Sequence, residues 1–388
     1  MKSLRNLKLA LGGLLVAGLA ACGGGGSSAD SGTFRLALTD APACGYDAVN
    51  LTVQKVRVHQ SSSASDADSG WSEIVLSPAR RVNLLALTNG VLDELGQTPL
   101  PTGKYTQLRL ILADNSGATP LANSVVLTSD KTEVALKTPS GQQSGVKTNI
   151  DIDIAANKMA DFVLDFNACK SVVVAGNSGQ YLLKPVVSVI PRYISGVTGY
   201  VDATTLANGS TSLSVQQGGA VIKATTPDSS GKFMLQPVAP GSYTLVMTAP
   251  GRATAVVTNV VVAAETVTSV NASGTAFNPP VASSGTVAGS APADTLVRVL
   301  QPLTAGPTVE VAGRFVDAST GSYSYPLVVS APLVAPYVAA PGVLVFTPDT
   351  AAAGKYTLSA HLSGFSDKTT VLGTLASGAT ITTNFLFP

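Results

Sequence analysis

A chain of 388 residues is long enough for two or three domains of about 150 residues each. Its 37 glycines and 23 prolines, with 45% hydrophobic but 5% aromatic residues, favour short strands and tight turns over coiled coils and helical bundles. The 24 basic and 23 acidic residues leave a net charge of +1 with no basic stretch, which is not the electrostatic footprint of a nucleic-acid binder.

The first 21 residues carry Lys2, Arg5 and Lys8 and then an apolar run, Leu9–Ala21, that ends in small residues. That run is shorter than the about 20 residues a membrane-spanning helix needs, so it reads as a secretory signal peptide. Leu19-Ala20-Ala21-Cys22 resembles the bacterial lipobox, which implies cleavage before Cys22 and acylation of its thiol. More than one acyl chain would give stable attachment, at about 0.8 kcal/mol per buried CH₂. Residues 22–32 then form a Gly/Ser tether, in which about ten residues span ~18 Å on average. Gly23 rather than Asp after the cysteine implies the outer membrane if the cell is Gram-negative.

With Cys22 acylated, Cys44 and Cys169 are the remaining thiols, and an oxidising compartment makes them a disulfide candidate. Such a bond would stabilise by about 4–5 kcal/mol in the chain-entropy account. Two separate buried thiols are the alternative.

From Thr33 onward the pattern is strand after strand. Phe34, Leu36 and Leu38 alternate with polar or small residues, as do Val49, Leu51 and Val53. Val56 and Val58 continue in the opposite phase, which predicts a bulge near Gln54–Lys55. Leu84–Leu95 has the spacing of a short helix that Asn89-Gly90 interrupts. Leu108, Leu110 and Leu112 mark another strand, while Ile150, Ile152 and Ile154 face the same core as Phe162, Leu164 and Phe166.

Several short motifs in this region act together: Leu38-Thr39-Asp40-Ala41-Pro42, Val82-Asn83-Leu84-Leu85, Pro101-Thr102-Gly103-Lys104-Tyr105-Thr106 and Val163-Leu164-Asp165-Phe166. With Leu182-Leu183-Lys184-Pro185 they resemble a bacterial family known only as domain of unknown function 4382, common in exported lipoproteins. The resemblance covers residues 33–193 and implies a β-sandwich-like export domain without catalytic residues.

A second unit, residues 194–275, contains Asp228-Ser229-Ser230-Gly231-Lys232-Phe233 and Pro240-Gly241-Ser242-Tyr243-Thr244-Leu245. It resembles the carboxypeptidase regulatory-like domain, a seven-stranded sandwich of transthyretin type. Gly231 and Gly241 sit where turns need positive φ or close packing, and Phe233, Tyr243 and Leu245 supply core residues. That fold is grouped by shape with carbohydrate-binding-like sandwiches. The third unit, residues 276–388, carries Gly354-Lys355-Tyr356-Thr357-Leu358 and a final strand at Ile381–Phe387. Gly-x-Tyr-Thr therefore occurs once in each unit, which points to three related sandwiches sharing one turn-into-strand device. Ala/Pro-rich stretches at 278–293 and 331–341 read as linker and long loop. The fold expected is all-β: tandem antiparallel β-sandwiches behind a lipoprotein signal peptide (residues 1–21).

Few constellations carry chemistry. Asp151, Asp153, Asp161 and Asp165 share one parity on two neighbouring strands, so a hairpin would project all four from one face. An outward polar face is the plain reading, and Ca²⁺ binding by these four oxygen donors is the alternative. Asp66-Ala67-Asp68-Ser69-Gly70 lacks the full spacing of a calcium loop and reads as a polar hairpin loop, with Trp71 opening the next strand. His59 and His361 end strand patterns and read as surface or edge residues. There is no Gly-x-Ser-x-Gly, His-Glu-x-x-His or phosphate-binding Gly-x-x-x-x-Gly-Lys-Ser/Thr motif, so neither an enzyme nor a cofactor is expected. Trp71, Tyr46, Tyr105, Tyr323 and Tyr325 would suit sugar stacking if exposed, but packing explains them more simply. The expectation is an exported, membrane-anchored protein with a recognition or attachment role for a protein or carbohydrate ligand. Carbohydrate binding through a sandwich face is the narrower alternative, and a structural spacer the third.

Overall fold

The apolar alternation described above folds, in a computed structural model, into strands throughout. The structure describes residues 30–40, 45–139, 144–207, 210–304, 306–339 and 342–388; Cys22 and Cys44 lie outside them. The first sandwich holds β1 (Ser31–Asp40), β2 (Tyr46–His59), β3 (Ser72–Asn83), β4 (Asp93–Pro101), β5 (Gly103–Leu112), β6 (Ser124–Leu127), β7 (Glu133–Lys137), β8 (Val146–Ile154) and β9 (Met159–Phe166). Helix α1 (Ala168–Ser171), β10 (Val172–Val174), β11 (Tyr181–Leu183) and β12 (Val187–Pro191) complete it. The second holds β13 (Gly196–Tyr200), helix α2 (Ala203–Leu206), β14 (Ser212–Gln217), β15 (Ala220–Thr225), β16 (Lys232–Leu235), β17 (Gly241–Thr248), β18 (Ala255–Val262) and β19 (Val267–Ser269). The third holds β20 (Ser284–Ser290), β21 (Leu296–Pro302), β22 (Thr308–Phe315), β23 (Ser322–Val328), β24 (Leu333–Pro336), β25 (Thr347–Pro348), β26 (Thr357–His361), β27 (Lys368–Val371) and β28 (Thr380–Thr382).

One seven-stranded plan recurs three times. One sheet runs β4-β1-β9, β16-β13-β19 and β23-β20-β28 in the three sandwiches, and the facing sheet runs β3-β2-β5-β8, β15-β14-β17-β18 and β22-β21-β26-β27. In each, the first strand pairs antiparallel with the fourth and parallel with the last. The second strand is bulged every time, between Val53 and Lys55, Val215 and Gln216, and Val299 and Leu300. A bulge adds a residue and tightens local twist, and the first of the three is the one the phase change at Gln54–Lys55 predicts.

Each sandwich has its own core. Phe34, Leu36, Leu51, Ile152, Leu164 and Phe166 are among those closing the first, Val215, Phe233, Leu245 and Val257 the second, and Val287, Val299, Tyr325 and Leu358 the third. The Gly-x-Tyr-Thr segments lead into the equivalent strands β5, β17 and β26, as the shared motif implies. Tyr105 Oη donates to Pro101 O and Tyr243 Oη to Ala239 O, four residues back in both cases. This local tie pins the corner before the strand.

Three kinds of expectation change. Leu84–Leu95 is not one helix: Leu84–Leu87 makes a 3₁₀ turn, capped by the Asn83 side chain accepting from Leu85 N, and β4 follows. Asn89 and Gly90 both have positive φ, at 58° and 77°, and this left-handed turn cannot lie inside a helix. Residues 278–293 are not linker, since they contain β20, and the 331–341 stretch is also not simply a loop. Its β24 adds parallel to β18, and β25 pairs with β24, so the third sandwich lends two strands to the sheet of the second. The final strand is shorter than the expected Ile381–Phe387, although Phe385 remains buried in the third core. Among the described residues, no helix is long and apolar enough to cross a membrane.

Candidate functional site

The four aspartates proposed for calcium do not share a face. Strands β8 and β9 are consecutive but belong to opposite sheets, because β9 pairs with β1 and β12 while β8 pairs with β5. Ile150, Ile152 and Ile154 face the core from one sheet and Leu164 and Phe166 from the other, so the two strands form an arch rather than a hairpin. Asp151 and Asp153 point to solvent, and Asp151 meets Lys104 at 2.7 Å. Asp161 is paired with Arg35, and buried Asp165 meets Lys223 of β15 at 2.7 Å. Among the described residues, no three His, Cys, Asp or Glu side chains gather where a metal ion would sit.

The aromatic candidates sort by burial. Tyr105, Tyr323 and Tyr325 are 2%, 4% and 5% exposed, so none offers a stacking face on the surface. Their hydroxyls are committed to backbone carbonyls: Tyr323 donates to Thr383 O and Tyr325 to Val297 O. Burial pushes the Tyr323 phenol up to about 12. Trp71 does follow a polar loop, as expected, and it folds back over the outer face of β2 and β5. Arg57 and Arg109 lie 4.5 and 4.8 Å from its ring centre, and its indole N–H donates to Ser65 O at 2.9 Å. His59 lies in the same cluster, its Nδ1 accepting from Ser61 N at 2.9 Å, while exposed His361 faces Asp367 at 2.7 Å. Both imidazoles hold local structure.

The residues that matter most to the architecture sit where the three sandwiches meet. Glu310 on β22 is buried and accepts from Lys170 of α1 and from Arg298 Nε of β21, the latter at 2.6 Å. Gln216 of β14 exchanges two 2.8 Å hydrogen bonds with the Glu310 backbone. Asn89 of the first sandwich ties to the second, its N–H donating to Thr225 Oγ1 and its Oδ1 accepting from Met234 N. Asp317 of the third accepts from Gly176 N of the first at 2.8 Å. Burial alone would raise the Asp317 carboxyl, but N–H donors from Thr320, Ser319 and Gly176 outweigh it and hold it at about 2. The sequence carries little signal for this network. Thr308-Val309-Glu310-Val311 alternates as a half-solvated strand does, and Lys223 follows the apolar run Ala220-Val221-Ile222 as a strand-end charge would; neither pattern can say that another sandwich covers the polar side.

A cleft of about 650 Å³ opens at this junction, between Tyr46 and Val172–Val174 of the first sandwich, the serines of β14, and β22 and β23 of the third. Burial, then neighbouring Tyr181, pushes the Tyr46 phenol up to about 12, while the Arg314 guanidinium opposes that rise. Cys169, in half-buried α1, also borders the cleft.

Residues 31–185 match the family described as "Domain of unknown function (DUF4382)". No curated protein matches the chain. Among solved structures, the chain has 23% identity to an N-terminal interface mutant of a type II cohesin–X-dockerin complex from Acetivibrio cellulolyticus, over 23% of this chain and 59% of that one, with a TM-score of 0.20. It has 10% identity to the Bacillus anthracis TIE protein over 92% of this chain and 50% of that one, with a TM-score of 0.18. It has 10% identity to a streptococcal ancillary pilin over 91% and 98%, with a TM-score of 0.14. The chain thus spans 50–59% of the first three solved chains it matches.

Proposed function

We propose that this chain is exported, acylated on Cys22 and held at the outer membrane of a Gram-negative cell, where it has a non-catalytic recognition or attachment role. The observation that carries the reading is three copies of one sandwich plan, braced against each other behind a lipobox. Tandem sandwiches on a Gly/Ser tether place a stiff body away from the bilayer without orienting it. Asp161 and Asp165 are committed to ion pairs and His59 to a turn. In this reading residues 33–193, 194–275 and 276–388 are the three units, and the second resembles the carboxypeptidase regulatory-like domain. The Cys44–Cys169 disulfide belongs to it too. Asp40, the last described residue before the 41–44 segment, accepts from Ala168 N at 2.9 Å, which brings the chain beside Cys169.

The test is metabolic labelling with an alkyne palmitate in cells making the full chain. Label should appear on the protein, fractionate with outer membrane and vanish in Cys22→Ser. Attachment is read on the same cells as retention on immobilised glycans and proteins. Unlabelled protein, or label that survives Cys22→Ser, would refute the anchor. Equal retention of cells with and without the chain would refute the attachment role.

A further inference from the structure

The junction cleft has the dimensions and chemistry of a ligand site. Small-molecule sites run about 300–1,000 Å³ and favour domain interfaces, and this cleft, at about 650 Å³, lies where three sandwiches meet. Its walls are largely strands rather than loops: β14 on one side, β22 and β23 on another, β10 and the start of β2 on the third. Side chains carried on paired strands are held in place before a ligand arrives, which lowers the entropy lost on binding.

Three features narrow the ligand. First, Ser210, Ser212 and Ser324 line the cleft, and their hydroxyls have no hydrogen-bond partner among the described residues. Second, Tyr46 presents an aromatic ring whose hydroxyl is likewise unpartnered among the described residues. The ring is half-buried against the first core and meets Tyr181 edge-on, at 84° and 6.0 Å, and its remaining surface lines the cleft. Third, the charge is unbalanced. Lys170 and Arg298 already neutralise Glu310, and the Asp317 carboxylate is taken up by backbone N–H groups. Exposed Arg314 has no carboxylate partner among the described residues. Its guanidinium lies 4.9 Å from the Tyr325 ring centre, and one nitrogen donates to Ser324 O. The remaining N–H groups form a fork that matches a carboxylate.

We propose that this cleft binds an acidic saccharide, with the sugar carboxylate on Arg314, a ring face on Tyr46 and ring hydroxyls on Ser210 and Ser212. The assignment deepens the recognition reading above and rests on it. A ring with alternating hydroxyls satisfies the serines, a C–H-rich face stacks on the tyrosine, and the carboxylate answers the surplus positive charge. A neutral sugar leaves Arg314 without its counter-ion, and an apolar ligand leaves the serines desolvated and unpaired.

The test is calorimetric titration of the full chain with digalacturonate and with its neutral counterpart, galactobiose. Digalacturonate should bind one to one, at least tenfold tighter than galactobiose. Arg314→Gln should cut affinity for digalacturonate at least tenfold and leave galactobiose within twofold, while Ser212→Val should weaken both. Arg314 is solvent-exposed, so although its variant loses the Tyr325 contact and the bond to Ser324 O, its denaturation midpoint should fall only slightly and it should remain folded. Absence of digalacturonate binding by wild type overturns the cleft assignment, and the retention assay above then decides the broader reading separately. Unchanged binding by Arg314→Gln also overturns the cleft assignment, while leaving recognition itself standing.

Discussion

The second and third sandwiches follow the same strand plan and differ most at the connection between the fourth strand and the Gly-x-Tyr-Thr strand. In the second, β16 reaches β17 through a short turn, and Tyr243 Oη donates four residues back, to Ala239 O. In the third, the chain runs from Val328 to Thr357, and on the way lays β24 and β25 against β18 of the second. Tyr356 Oη then donates to Val328 O, at the end of β23, where the insertion departs. The tyrosine does the same job in both places, tying down the segment that precedes its strand, but its partner shifts when that segment is long.

The difference has consequences for stability. Because β24 covers what would otherwise be an open edge of the second sheet, the two sandwiches share hydrogen bonds, not merely a surface. Phe346 from the same insertion packs at 5.9 Å against Phe277 of the second core. Val246, Val256, Leu303 and Val309 add a small apolar cluster between the two. The first sandwich meets the others differently, through buried ion pairs and hydrogen bonds at Lys223–Asp165, Lys170–Glu310 and Asn89. Such pairs repay their desolvation only when both partners are present.

The contrast can be broken most severely at Ala335, which is fully buried in β24 opposite Val257. Ala335→Asp places an unpaired charge there and should cost about 3–5 kcal/mol. In chemical denaturation the second and third sandwiches should lose stability together while the first is spared. Next comes Lys223→Met, which strands Asp165 and should cost about 3 kcal/mol, with Lys223→Met/Asp165→Leu recovering most of it. The readout is loosening of the first sandwich, measured as faster protease cleavage between residues 191 and 196.

Smaller effects sharpen the comparison. Tyr243→Phe and Tyr356→Phe should each cost about 1 kcal/mol, the worth of one buried hydrogen bond. Only Tyr356→Phe should also raise amide exchange in β24 and β25, because only that hydroxyl holds the insertion's departure point. The mildest effect is acidification. The Asp317 carboxyl is depressed to about 2 in the folded chain, so its contribution is fully present above the unfolded value and is lost as pH falls from about 4 toward 2. Amide exchange at Gly176 should rise across that window, and Asp317→Asn should flatten the response.

Much of the fold was readable from residue order. Apolar alternation placed β1, β2, β5, β8 and β9 of the first sandwich and their core residues, the phase change at Gln54–Lys55 located a bulge, and Gly-x-Tyr-Thr marked the same strand in all three sandwiches. What could not be read is what lies across from a polar face. Asp165 looks like a solvent-facing acid on a half-buried strand, and only the docked second sandwich supplies Lys223, 58 residues away. β24 was hidden for another reason: Pro332 precedes and Pro336 ends a four-residue strand, and prolines in a short run ordinarily signal a loop. The cleft draws one wall from each sandwich, so no local stretch of sequence contains it.

The most direct test of the shared sheet is native-state hydrogen exchange of the full chain across a denaturant series. If β24 joins the two sandwiches as described, amides of β13–β19 and β20–β28 should converge on one opening free energy, distinct from that of β1–β12. Two separate isotherms, with β13–β19 opening while β20–β28 stays protected, would contradict it.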